Sequence, residues 1–169
     1  MPKLIDLQGQ VLDNPWVFLE KDTAADMAAS HESMHLIVPL QLWLSSFESL
    51  TGSGKQIAVW LDSDETAGSI ADSADKAAFI ALNFPGLMDG RAYSTAVALR
   101  KHHGFTGEIR AIGDVLRDQL FYMRRCGFST FDLKDSVKLE DACKGLKDFS
   151  TSYTSTTEEP LPLFKRKQA

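Results

Sequence analysis

Residues 88–94, MDGRAYS, place a carboxylate, a glycine, a guanidinium, a phenol and a hydroxyl close together in the chain. They stand between an apolar run and a run with helical spacing, so Arg91 falls in the first turn of a predicted helix. The helix macrodipole favours acidic side chains at that end and gives no reason for an arginine. We therefore expect Arg91 and Ser94, with the free N–H groups of the helix, to bind an oxyanion such as sulfate, sulfite or phosphate.

Two further arginines, Arg110 and Arg117, can add positive charge to this anion-binding site. Arg110 lies within an apolar predicted strand, and a buried guanidinium requires a partner. Its candidate partners are aspartates of adjacent units: Asp89, Asp114 and Asp118. An internal arginine–aspartate network would explain these residues without any ligand. Arg91 therefore holds either an internal carboxylate, such as Asp114, or an oxyanion from outside.

Aspartates follow three predicted strands and admit two interpretations. Asp62, Asp89 and Asp114 could together hold Mg²⁺, which prefers oxygen ligands. Each also stands where a helix N-cap is due, and aspartate is a favoured N-cap that contributes about 1 kcal/mol. We favour the capping interpretation and predict no metal site.

For catalysis the sequence offers Asp114 or Asp118 as an acid/base and Cys126 as an outside candidate nucleophile. Arg124 and Arg125 precede Cys126 and would lower the pKa of its thiol. The cysteine also lies at a predicted helix C-terminus, where the dipole disfavours a thiolate, so a buried structural role is favoured. The sequence contains no P-loop, no Gly-x-Gly-x-x-Gly and no cysteine set for a cluster, and we predict no bound cofactor.

These residues must be positioned by a repeated alternation of short apolar runs and helical stripes. A helix-like segment follows each run, usually with a capping residue before it and a glycine after it. Such a succession predicts a mainly parallel sheet with helical crossovers. The five runs that predict buried strands span 35–40, 56–61, 78–84, 108–113 and 129–133.

Two arrangements of these five units are open. We favour a doubly wound, flavodoxin-like α/β sheet; the alternative is part of a TIM-type βα barrel, because five units are too few to close one of eight. Leu4, Leu12 and the run 16–19 predict a small N-terminal strand pair. Ligands of α/β folds bind beyond the carboxyl ends of the strands, so we expect the site at that edge, mainly within residues 83–119.

Composition predicts one α/β domain over residues 1–150 and a flexible tail over 151–169. The chain has 169 residues, 44% of them hydrophobic, and the tail is Ser/Thr-rich and then Pro-rich. A net charge of −5 and a pI near 5.3 disfavour binding to nucleic acid or anionic membranes. Without a long apolar run, a signal-peptide pattern or paired cysteines, a cytoplasmic protein is expected.

The stretch 84–133 resembles DUF934, a bacterial family of unknown function. The motifs that carry the resemblance include Phe-Pro, Asp-Gly-Arg, Tyr-Ser, Gly-Glu-Ile-Arg-Ala, Gly-Asp-Val, Arg-Asp-Gln and Arg-Cys-Gly-Phe, and VPLQLW at 38–43 is also similar. The resemblance implies a link to sulfite reduction, because members are typically encoded beside sulfite reductase. It implies no catalytic residues.

From this resemblance we expect an accessory protein of assimilatory sulfite reduction that acts through contact with sulfite reductase. Residues 158–167 of the tail, which end in PLPLFKRK, would be its docking element. An alternative is a small enzyme that binds an oxyanion through Arg91 and Arg117. A third hypothesis is a structural homodimer module.

Overall fold

The computed structural model describes residues 3–86, 88–149, 153–157 and 160–166. The strands are β1 (Lys3–Asp6), β2 (Val11–Leu12), β3 (Val17–Phe18), β4 (His35–Pro39), β5 (Gln56–Leu61), β6 (Ile80–Phe84), β7 (Ile109–Gly113) and β8 (Thr130–Leu133). The helices are α1 (Ala25–Ser30), α2 (Leu40–Gly52), α3 (Arg91–Lys101), α4 (Leu120–Cys126), α5 (Leu139–Gly145) and α6 (Leu163–Arg166). Short 3₁₀ turns span Ala67–Ser69, Ala71–Lys76 and Arg117–Gln119.

The eight strands of the described ranges form one sheet in the order β2-β1-β8-β7-β6-β5-β4-β3. Strands β3 to β8 are parallel neighbours in chain order, whereas β1 runs antiparallel to both β8 and β2. Right-handed crossovers between strands that follow one another in this way place the connecting helices on one face of the sheet.

The larger core lies on that helical face. Alternate strand residues point into it, for example Val59 of β5 and Ile80 of β6, and they meet Trp43 of α2 and Leu99 of α3. These four side chains are fully buried. Burial of a large apolar side chain contributes about 1.5–3 kcal/mol, so this face supplies most of the stability of the fold.

A smaller core lies on the opposite face of the sheet. Its strand residues are the alternates of the first set, such as Ile37, Trp60 and Ile112, together with Phe79 before β6. Trp16 packs against this group from the segment between β2 and β3. Strand side chains are therefore buried on both faces of the sheet, which agrees with their near-continuous apolar runs.

The segment 13–16 shows that the sheet is strongly curled. It joins β2 and β3, which are the two edges of the sheet. A flat sheet of eight strands is about 34 Å wide, whereas the chain from the end of β2 to the start of β3 reaches about 17 Å. The segment crosses the amino-terminal end of the curled sheet, where Trp16 contacts His35 at 5.2 Å and Phe79 at 4.7 Å between ring centroids.

The predicted alternation of five parallel strands with helical segments is confirmed, but the strand count and the closure need correction. The sheet has eight strands, because the N-terminal segment adds a β1–β2 pair at one edge and β3 at the other. A doubly wound sheet reverses its strand order at a switch point, and this sheet does not, so the flavodoxin-like arrangement is not confirmed. The partial TIM-type barrel is not confirmed either, since β1 runs antiparallel to both of its neighbours, β2 and β8.

One local prediction also differs from the structure. The helix expected after β5 consists of two 3₁₀ segments, Ala67–Ser69 and Ala71–Lys76, where glycine, serine and aspartate weaken an α-helix. The described residues of the predicted tail contact the domain: Thr157 donates its backbone N–H to the Arg125 carbonyl at 3.1 Å. No helix within the described ranges is both long and apolar enough to cross a bilayer.

Candidate functional site

Arg91 begins α3 and is held by the carboxylate two residues before it. Its Nε and Nη2 donate to the two carboxylate oxygens of Asp89 at 3.0 and 2.6 Å, the bidentate geometry of a strong arginine–carboxylate pair. The backbone N–H of Arg91 also donates to Asp89, at 3.2 Å. The hydrogen bonds from Arg91, followed by one from Ser63, hold the pKa of Asp89 well below its usual range. Arg91 thus holds an internal carboxylate, and that carboxylate is Asp89 rather than Asp114.

Ser63 joins this pair to the loop after β5. Its Oγ accepts a hydrogen bond from Nη2 of Arg91 at 2.7 Å, and the residue is only 8% exposed. Ser63 follows the end of β5, while Asp89 and Arg91 follow the end of β6. The hydrogen bond therefore fixes two neighbouring loops to each other at the carboxyl edge of the sheet.

Asp62 is a second carboxylate at this edge that accepts hydrogen bonds from several parts of the chain. One of its oxygens accepts from the backbone N–H of Ser63 at 2.8 Å and from Nδ2 of Asn83 at 3.0 Å. Its other oxygen lies 2.5 Å from Nζ of Lys21. Burial alone would raise the pKa of Asp62, but the hydrogen bonds from Lys21, Ser63 and Asn83 outweigh burial and lower it. Asp62 therefore joins the segment after β3, its own loop after β5 and the end of β6.

The aspartates predicted as helix N-caps have other partners. Asp62 and Asp114 are not followed directly by a helix, because the next helical turns begin several residues later. Asp114 instead pairs with Lys134 beyond β8. Asp89 precedes Gly90, which occupies the N-cap position of α3 without a capping side chain. The capping interpretation is wrong for Asp62 and Asp114, whose carboxylates connect loops.

Arg117 lies in a different part of the molecule, against α5. Its Nη2 is 2.6 Å from Oδ1 of Asp148, and its Nε donates to the carbonyl of Asp141 at 3.4 Å. Arg117 and the exposed Asp118 line an open groove of about 590 Å³ that also includes Val137. Among the described residues, Arg117 and Arg91 share no partner, so the structure gives no common anion site for them.

Arg110 lies on the face of the sheet opposite the helices and is 4% exposed. Its Nε and Nη2 contact Oε1 of Glu108 at 2.9 and 2.8 Å, and its guanidinium lies 3.8 Å from the ring centroid of Phe79. Nη1 donates to Asn14 at 3.3 Å, and Thr130 donates to the same Glu108 oxygen at 2.6 Å. Arg110 therefore pairs with a glutamate two residues away on its own strand segment, and the predicted aspartate partners are wrong.

Cys126 ends α4 and is 4% exposed. Burial raises the pKa of its thiol, against smaller opposing effects of Tyr122, Arg125 and Lys101. A protonated, shielded thiol does not support a nucleophilic role. Ser94, which the sequence predicted as an anion-binding residue, is exposed on α3 one helical turn after Arg91.

The carboxyl edge of the sheet carries more acid than base. Among the described residues at this edge, the cations are Lys21, Arg91 and Lys134, and each is bonded to an aspartate. Such an edge repels an anion, so the geometry does not favour an oxyanion there. Within the described ranges, no group of three or more His, Cys, Asp or Glu residues is placed to hold a metal ion. The acids that follow β5, β6 and β7 are Asp62, Asp64, Glu65, Asp89 and Asp114.

Sequence reasoning did not assign Lys21 or Ser63 to this edge. Ser63 could have been found, because it follows the same strand end as Asp62 and parallel strands bring such positions together. Lys21 gave no local signal, since it lies far from Asp62 in the chain and reaches it only because β3 pairs with β4.

Comparison with known families adds one result. The model of DUF934, described as a bacterial protein of unknown function, matches residues 58–164, which is well over half of the chain. The match includes strands β6 to β8 and most of the described part of residues 151–169, which we call the C-terminal segment. The chain therefore belongs to the DUF934 family. No curated protein matches the sequence.

Proposed function

We propose that this DUF934 protein acts through protein–protein contact, as an accessory protein of sulfite reduction, and not as an enzyme that binds an oxyanion at the carboxyl edge. One observation carries the proposal: each arginine of the oxyanion hypothesis is already bonded to a carboxylate of its own chain, in three separate places. The pairs are Arg91 with Asp89, Arg110 with Glu108 and Arg117 with Asp148.

The surface best suited to such contact lies along α4 and the C-terminal segment. Tyr122, Phe149, Tyr153 and Phe164 are each at least half exposed there. Phe149 makes an edge-to-face contact with Phe121 of α4 at 5.1 Å between ring centroids, which holds Phe149 beside α4. Exposed aromatic side chains are enriched at interfaces. We refer to the four exposed aromatics as the C-terminal contact surface.

The C-terminal segment is attached to the domain in a way that presents this surface. The backbone N–H of Leu163, the first residue of α6, donates to the carbonyl of Tyr153 at 3.0 Å. This bond holds α6, with Phe164 and Lys165, beside Tyr153. Within the predicted docking element 158–167, residues 160–166 are described, and they form this part of the surface; residues 158, 159 and 167 lie outside the described ranges.

Sulfite reductase is the proposed partner because of the association that the family resemblance implies. A pull-down of the sulfite reductase holoenzyme with the full chain tests the proposal. We expect the double substitution Tyr153→Ser and Phe164→Ser to abolish co-purification. The matched control, Met27→Ser with Leu44→Ser, removes two exposed apolar side chains of α1 and α2 and should leave co-purification intact.

Two outcomes would overturn the proposal: wild-type chain that captures no sulfite reductase, or a Tyr153/Phe164 variant that captures as much as wild type. Light scattering on the same samples measures the mass of the free protein. The homodimer hypothesis stays a prediction, and a mass of one chain would remove it.

A further inference from the structure

A cavity of about 200 Å³ lies where α3 and α4 meet the C-terminal segment. Lys101 comes from the end of α3, and Tyr122, Arg125 and Cys126 come from α4. Residues 154–157 close the cavity and contribute three threonines and a serine. Two cations therefore line it, and no carboxylate is among its described lining residues.

The closing segment is fixed in place by hydrogen bonds to Arg125. The backbone N–H and Oγ1 of Thr157 both donate to the Arg125 carbonyl, each at 3.1 Å. Nη2 of Arg125 donates to Oγ1 of Thr154, and Thr156 is 6% exposed. Thr154 and Thr157 are consequently held in defined positions beside Arg125.

Arg125 has a donor that its own surroundings do not use. Its Nε is buried and has no hydrogen-bond partner among the described residues. The guanidinium lies 5.9 Å from the ring centroid of Phe121 and 5.8 Å from that of Tyr122, so aromatic rings flank the group. A buried N–H without an acceptor is costly, so the guanidinium lacks a full set of partners among the described residues.

We propose that this cavity binds a small tetrahedral oxyanion, sulfate or phosphate, between Lys101 and Arg125 beneath residues 154–157. The guanidinium supplies directed donors, the ammonium supplies charge, and the Ser155 hydroxyl supplies a neutral donor. Binding would hold the C-terminal segment on α4. The site is separate from the carboxyl edge of the sheet, and it stands whether or not the protein binds sulfite reductase.

The test is thermal unfolding in sodium sulfate or sodium phosphate, against sodium chloride of equal ionic strength. A ligand that binds only the folded chain raises the melting temperature, and excluded salts act on all variants alike. We expect wild type and the charge control Lys144→Gln to gain the same increment. Lys101→Gln and Arg125→Gln should bind at least about tenfold more weakly, as expected for loss of one charge-assisted contact. A response to either anion supports the site, and the stronger response identifies the preferred one.

Three results would overturn the site. One is a rise in melting temperature with sulfate or phosphate that is as large in Lys101→Gln, a substitution at an exposed position, as in wild type. Another is loss of this rise in Arg91→Gln but not in Lys101→Gln or Arg125→Gln, which would mean that the anion binds at the carboxyl edge of the sheet. The third is a response only in the double variant Glu158→Gln, Glu159→Gln. These acids follow Thr157 in the sequence, outside the described residues, and that result would mean that they occupy the cations.

Discussion

Nη1 of Arg110, in the middle of the sheet, donates a hydrogen bond at 3.3 Å to Oδ1 of Asn14, in the segment that joins the two sheet edges. The same guanidinium packs on Phe79 and bonds to Glu108. One interior arginine of β7 therefore contacts the residue before its own strand, the residue before β6 and the connection between β2 and β3. This arrangement makes the curl of the sheet depend on a polar group rather than on apolar packing alone.

Arg110→Ala should lower the free energy of unfolding by about 2–3 kcal/mol. Breaking a fully buried ion pair costs about 3–5 kcal/mol, and the loss is smaller here because the Glu108 side chain is 32% exposed. Urea unfolding followed by circular dichroism measures the change. Asn14→Ala, which removes one hydrogen bond, should cost about 1 kcal/mol. An Arg110→Ala variant as stable as wild type would show that Arg110 does not maintain the curl.

The five central strands could be predicted because each is a short, nearly continuous apolar run. Such runs carry their own signal in residue type and length. The closure of the sheet could not be predicted in the same way. It depends on β2 and β3 pairing at opposite edges, and each has only two residues. Pairing between short segments far apart in the chain leaves no periodic pattern in the sequence.

The candidate site, like the fold, could be predicted only in part. Arg91 was correctly identified as a residue that needs a partner, because the macrodipole does not explain an arginine at the start of α3. The sequence suggests Asp114 of the next unit as its internal partner, whereas the observed partner is Asp89, only two positions away in the chain. The backbone turn at Gly90 decides which carboxylate the side chain meets. That local geometry is fixed by the contacts of the loop rather than by residue type.

Gly113→Ala should destabilise the protein more than Gly54→Ala. Both glycines have positive φ, 91° and 74°, so alanine is strained at either position. A Cβ at Gly113 would lie 2.5 Å from both Oδ1 of Asn83 and the carbonyl oxygen of Phe84, whereas at Gly54 nothing lies within 4 Å. We expect a loss of about 1 kcal/mol at Gly54 and about 2–4 kcal/mol at Gly113.

Chemical denaturation of the two variants measures this difference. Because alanine is strained in φ at both positions, the difference reports the steric contact at Gly113. Because Asn83 donates to Asp62, the substitution at Gly113 should also disturb the carboxyl edge of the sheet. Equal losses at the two positions would show that the close approach of β6 and β7 relaxes without cost.

Asp132→Asn should stabilise the protein at neutral pH. Burial raises the pKa of Asp132 above its ordinary value of 3.8, Asp135 adds to the rise, and Arg110 opposes it. A carboxyl group with a raised folded-state pKa contributes stability that is fully present below the unfolded pKa and is lost as pH rises through the folded pKa. The wild type should therefore lose this contribution with rising pH, and the asparagine variant should not.

Urea unfolding of wild type and Asp132→Asn from pH 3.5 to pH 7 checks the sign of this effect. The gain in the variant should be largest at pH 7 and should shrink toward the acidic end of the range. Asp118→Asn, at an exposed position, is the matched control and should follow wild type. A variant that is less stable than wild type at pH 7 would mean that the Asp132 carboxylate forms a favourable contact in the folded chain.

Cys126 should react slowly with thiol reagents until the C-terminal segment is removed. The residue is 4% exposed, burial raises the pKa of its thiol, and residues 154–157 line the same cavity. In a Cys143→Ser background, we expect alkylation by iodoacetamide at pH 8 at least about tenfold slower than for the chain unfolded in urea. Deletion of residues 151–169 should raise the rate, because it uncovers the thiol.

The alkylation rates also decide between the two roles considered for Cys126. A catalytic nucleophile must be reachable and ionised in the folded protein, whereas a packing residue is neither. Folded chain that reacts as fast as unfolded chain would therefore reopen the enzymatic hypothesis. Slow reaction in both the full chain and the truncated chain would instead show that α3 and α4 alone shield the thiol, since the closing segment would then make no difference to its access.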